Sequence, residues 1–196
     1  MRNLGLSLVI AIAFSNTAHA QSADEPFYAA FKTFCADTGA NPDLVKRAVK
    51  AAPLAMPHNP PGASTTVPYP MTTASWDINW NSRKYIVSID TSDAPYGPDR
   101  KLETVSCSIT SRADEEASAA AIRKWVGIQP DPNSSAGVTY YNYRQDGSVR
   151  AAISGDAAVK SALAEGRAWL LTVRQQPNIA SVQLMHFQAP TPRSSN

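Results

Sequence analysis

Residues Glu103–Ile128 read ETVSCSITSRADEEASAAAIRKWVGI, a strand pattern running straight into a helix pattern. Val105, Cys107 and Ile109 alternate with Thr104, Ser106, Ser108 and Thr110, so the strand has one apolar face and one hydroxyl-rich face that tolerates water. Ser111-Arg112-Ala113-Asp114 is capping-box-like, and Asp114, Glu115 and Glu116 load the positive end of the helix that follows. Ser118, Ala121, Ile122 and Trp125 recur at helical spacing. This stripe of small residues, ending in one large ring, lets the helix lie close on a sheet. Gly127 and Pro130 end it.

The sole cysteine that can partner Cys107 is Cys35, in the first helix after the N-terminal leader. That leader is expected over residues 1–20. Arg2 supplies a positive start, Leu4 to Phe14 an apolar run, and Ala18-His19-Ala20 a small-x-small cleavage site. The run falls short of the roughly 20 apolar residues that span a bilayer. No cysteine follows the cleavage point, so no lipid anchor or membrane anchor is expected, and the product would be periplasmic or secreted. Two cysteines in such a chain point to a disulfide, which over this long loop contributes roughly 4 kcal/mol by chain entropy. The other use of a cysteine pair, redox chemistry or metal binding, ordinarily brings Cys-x-x-Cys or nearby histidines, and neither is present.

The remaining length suits one domain, residues 21–189, with a loose tail over 190–196. Net charge is +2 and no basic run occurs, which argues against nucleic acid and against a polybasic membrane surface. At 43% hydrophobic, the chain has enough apolar matter to fold.

Asp24-Glu25-Pro26 opens the first helix, with Phe27, Phe31, Phe34 and Cys35 on one face and Gly39 as its stop. Asn41-Pro42-Asp43 caps a second, with Leu44, Val45, Ala48 and Val49 expected inward. Together they predict an N-terminal helical hairpin. Residues 53–72 form a proline-rich crossing loop, where Pro53, Pro57, Pro60, Pro61, Pro68 and Pro70 exclude helix and central strand. His58 lies inside this loop and is expected to be a lone, solvated side chain.

Alternation then predicts strands around Trp76–Trp80 and Tyr85–Ile89, turned by Asn81-Ser82-Arg83. Val138–Tyr143 and Val149–Ile153 flank Asp146-Gly147, a hairpin signal. Asp156–Ala164 reads as a helix, and Trp169–Val173 pairs with Ala180–Phe187 across Gln176-Pro177-Asn178. The fold class is α+β: the helical hairpin, then a mainly antiparallel sheet of about seven strands, with helices packed on one face.

No nucleophile elbow, zinc-protease motif, phosphate loop or dinucleotide fingerprint occurs, so no catalytic residue, metal ligand or cofactor is assigned. Carboxylates on neighbouring strands, Asp77 and Asp90, or His186 in the last strand, are the candidates for a small hydrolase. Trp76, Trp80, Tyr140, Tyr141, Tyr143 and Trp169 all fall on strands. On an uncovered face, Trp76, Trp80, Tyr141, Tyr143 and Trp169 would contact a ligand; under helices they would be core.

The pattern Phe31-x-x-Phe34-Cys35-x-x-Thr38-Gly39, followed by Cys107 on a strand and a helix ending in Trp125, resembles small uncharacterised exported proteins of proteobacteria over residues 27–128. The resemblance implies a disulfide-linked periplasmic domain and carries no activity. The leading expectation is a monomeric, non-catalytic binding domain of the cell envelope. Its ligand would be a protein, a glycan or a small molecule, taken through the sheet face or the proline loop. The alternatives are the hydrolase and a purely structural envelope role.

Overall fold

A computed structural model describes residues 25–58, 71–112 and 118–192. The leader at 1–20, the heart of the proline loop and residues 113–117, with the acidic start expected for the third helix, lie outside these; Ser111, expected to open the capping box, instead ends the strand Arg100–Ser111 and is buried. The chain order is α1 (Pro26–Phe31) running into a π turn (Lys32–Ala36), α2 (Pro42–Ala51), β1 (Met56–Pro57), β2 (Met71–Trp80), β3 (Arg83–Pro95), β4 (Arg100–Ser111), α3 (Ser118–Val126), β5 (Val138–Asp146), β6 (Val149–Ala152), α4 (Asp156–Ala164), β7 (Ala168–Gln176), β8 (Ile179–Phe187) and β9 (Thr191–Pro192).

The strands form one open, antiparallel sheet in the order β1-β2-β3-β4-β8-β7-β5-β6, with β9 paired to β4. The seven strands legible in the sequence are all there. Two more pairs of residues join them: Met56–Pro57, at the edge where a proline costs no ladder bond, and Thr191–Pro192, which pairs with Arg100 and Lys101 instead of hanging loose.

Three two-residue turns set the register. Asn81 and Ser82 both adopt positive φ, matching the right-handed twist of β2 and β3. Pro177-Asn178 joins β7 to β8 with Asn178 at φ 62°. In the third, Asp146 already pairs with Val149, so the loop is Gly147-Ser148 rather than Asp-Gly.

Ile89, Cys107, Leu184, Leu171 and Tyr141 stand opposite one another on five successive strands, and all are buried. They share one cluster with Phe27, Phe31 and Phe34 of the first helical segment, Val45 and Val49 of α2, and Ile122 and Val126 of α3. In α2, the Asn41 side chain accepts from the Asp43 and Leu44 amides at 3.1 Å, as its capping role requires. Leu44 itself turns outward at 38% exposure, a departure from the inward position its spacing suggested. In α3, Val126 is fully buried while Trp125 lies at the cluster's margin. There Arg150 stacks on the Trp125 ring, 3.9 Å from its centroid.

Cys35 and Cys107 are disulfide-bonded, with Cα atoms 5.4 Å apart and a sequence separation of 72. The bond ties the π turn to the centre of the sheet.

Candidate functional site

Of the aromatic residues singled out in the sequence, all but Tyr140 lie on the same face as the core. Tyr141 and Tyr143 are buried at 2% and 0% exposure. Trp76, Trp80 and Trp169 are partly buried and pack against the core cluster. Trp80 meets Phe34 edge-on at 5.2 Å, and Trp169 lies between Tyr143 at 6.4 Å and His186 at 4.2 Å, stacked on both. Tyr140, one residue from Tyr141, stands on the opposite face, as a pleated strand demands.

The candidate catalytic groups do not converge. His186 shares the core face with Val182 and Leu184, and its Nε2 is 2.9 Å from the Gly166 carbonyl. Asp77 and Asp90 are on the other face, but the partner of Asp90 on β2 is Thr73, four residues from Asp77. That is about 13 Å along a strand. Asp90 accepts from Ser106 at 3.4 Å.

What the structure does assemble is the polar face itself. Ser75, Ser88, Ser108, Gln183, Thr172 and Tyr140 form one cross-strand row, and Asp77, Ile86, Thr110, Ser181 and Arg174 form the next. Side chains bridge the strands: Ser75 to Ser88 at 2.8 Å, Thr110 to Ser181 at 3.2 Å, Gln183 to Ser106 at 3.1 Å. A hydroxyl has one donor and two acceptor sites, so the Ser75–Ser88 and Thr110–Ser181 bridges still leave hydrogen-bonding capacity for a ligand, whereas Ser106 is buried. Between β4, β7 and β8 the face hollows into a trough of about 370 Å³, lined by Ser108, Thr110, Thr172, Arg174, Ser181 and Gln183 among others.

Sequence reasoning missed a pair at one end of this face. His58 is no solvated bystander, because β1 lays it beside β2. Its amide donates to the Ser75 carbonyl at 2.8 Å, and its Nδ1 lies 2.8 Å from Oδ2 of Asp77. Only 18% of the His58 side chain is exposed. The signal could not be read locally, since 19 residues separate the partners. Among the described residues, no three histidine, cysteine or acidic side chains gather as metal ligands, and no helix is long and apolar enough to cross a membrane.

No protein-family model, no curated protein and no solved structure matches the chain.

Proposed function

We propose that this chain is a non-catalytic binding domain of the cell envelope, exported as a monomer, that takes a hydroxyl-rich ligand such as a saccharide on the polar face of its sheet. One observation carries the reading: the trough of about 370 Å³ lies in a face lined by hydroxyl, amide and guanidinium groups. An ordinary solvated sheet face presents scattered long charged side chains. Rows of short hydroxyls beside glutamines instead offer closely spaced donors and acceptors to a polyol. The reading includes a helical hairpin formed by α1 and α2, and helices kept to the core face so that the polar face stays open. The shared core cluster, which takes in α1, α2 and α3, supports that part for those three helices. Export is supported by the Cys35–Cys107 bond, which persists in oxidising compartments.

Native mass spectrometry of the protein taken from the cells that make it tests this. The expected result is a mass excess that leaves on denaturation and is absent from a Ser181→Ala/Gln183→Ala variant. An excess retained by the variant would move the site elsewhere.

The hydrolase reading keeps one geometric support, the His58–Asp77 pair, in which a carboxylate orients an imidazole that could serve as a base. Turnover of a glycoside or ester substrate that vanishes in His58→Gln would favour it.

A further inference from the structure

We propose that the β2–β4 end of the polar face is an anion seat, so that the ligand is an acidic polyol chain, a saccharide carrying carboxylate or phosphate groups. The proposal rests on the polar face being the binding surface. A concavity of about 220 Å³ opens at that end, lined by His58, Asp77, Lys84, Thr110 and Arg112 among others. Lys84 and Arg112 bring two fixed cations, and among the described residues neither is paired with a carboxylate.

Among the described residues that line the seat, the acid is Asp77, which is already engaged by His58 Nδ1 at 2.8 Å. That contact makes Nδ1 the protonated nitrogen and leaves Nε2 without a hydrogen-bond partner among the described residues. Among the described residues, Lys84 and Arg112 against Asp77 give the seat a net positive charge. Asp77 therefore positions the imidazole rather than repelling the ligand outright.

Thr110 lines both concavities, so the cationic seat and the hydroxyl-rich trough are contiguous. Arg174, on the same cross-strand row as Asp77 and Thr110, sets a further cation at the β7 end. A row of five strands spans about 19 Å at the usual strand spacing. Cations at its two ends suit an oligomer with recurring acidic groups better than an isolated ion.

Isothermal titration calorimetry of the full oxidised chain at low ionic strength tests the proposal. The probes are a galacturonate tetrasaccharide, its carboxyl-reduced neutral counterpart, and inorganic phosphate. The acidic tetrasaccharide is expected to bind at least tenfold tighter than the neutral one, and phosphate to compete with it weakly. Lys84→Gln/Arg112→Gln should erase the tenfold difference, and Arg112→Lys should restore part of it in the Lys84 background. Both side chains are exposed, so these variants keep the core intact. Salt near 1 M should also erase the difference.

Equal binding of the acidic and neutral chains, both weakened by Gln183→Ala, would overturn the anion seat and leave the polar-face reading standing. Acid-selective binding that survives Lys84→Gln/Arg112→Gln, or no binding of any probe, would overturn the seat as well. The mass measurement above then decides the polar face separately.

Discussion

Cys35, in the π turn that follows α1, is bonded to Cys107 at the centre of β4, and both residues are fully buried. The bond closes a long loop between two elements of one core, so its loss acts mainly by freeing the unfolded chain. Cys35→Ala/Cys107→Ala is expected to lower unfolding free energy by about 4 kcal/mol, read from urea denaturation with m fitted separately for each protein, since the freed unfolded chain should raise it. A change below about 1 kcal/mol would show the helices to be held by packing alone.

Tyr143 places its hydroxyl in the core, where no well-formed hydrogen bond reaches it among the described residues, although the Arg150 guanidinium stands close enough to favour its ionised form. Burial pushes its pKa up to about 12, against an opposing pull from Arg150. Removing an unsatisfied buried hydroxyl relieves a desolvation penalty, so Tyr143→Phe should leave stability within about 1 kcal/mol of wild type or raise it. The raised folded pKa also has a pH consequence. Its contribution is complete below the unfolded pKa of about 10 and disappears as pH rises through about 12. Alkaline unfolding between those values should therefore be shallower in Tyr143→Phe. A loss of more than about 2 kcal/mol at neutral pH would mean that the hydroxyl is bonded after all.

Asp131 accepts from the Asn133 amide at 2.8 Å and from the Asn142 side chain at 2.7 Å, and these bonds, the backbone one foremost, hold its carboxyl below the usual range. A depressed carboxylate stabilises the fold above its unfolded pKa and ceases to do so as pH falls through its folded pKa. Asp131→Ala should cost about 1 kcal/mol at pH 7, a modest figure because the site is half-exposed. The gap from wild type should close as the pH drops below 3.8, the ordinary value for aspartate. A gap independent of pH would contradict the assignment to the ionised form.

At Gly166, with φ +65°, an added Cβ would lie 2.6 Å from the Ala189 amide nitrogen. The Gly166 carbonyl also lies 2.9 Å from His186 Nε2, so a shift there disturbs the ring stacked on Trp169. Gly166→Ala is expected to cost more than about 2 kcal/mol. Gly147→Ala, at a similar φ but with open space around it, should cost only about 1 kcal/mol. Thermal melts of the two variants side by side check the difference.

The elements were legible in the sequence because their signals are local. Val105-Cys107-Ile109 alternates within one strand, Asn41-Pro42 caps α2 within one turn, and Asn81-Ser82 turns β2 into β3. The cysteine pairing was legible because the chain offers one choice. The polar face was half legible: Ser106, Ser108 and Thr110 announced a hydroxyl row on β4. Its neighbours Ser181 and Gln183 lie more than seventy residues away and reach it only through the β4–β8 pairing. His58 was unreadable for the same reason, since a two-residue strand among prolines has no periodicity and its partner Asp77 is fixed by register alone.

The most direct measurement is ¹H–¹⁵N NMR of the oxidised chain as galacturonate tetrasaccharide is added, following side-chain signals that belong to one face each. Binding on the polar face should move the Gln176 and Gln183 amide groups and leave the indole N–H signals of Trp76, Trp80 and Trp169 unmoved. Indole shifts without glutamine shifts would place the ligand against the aromatic, core-bearing face and contradict it.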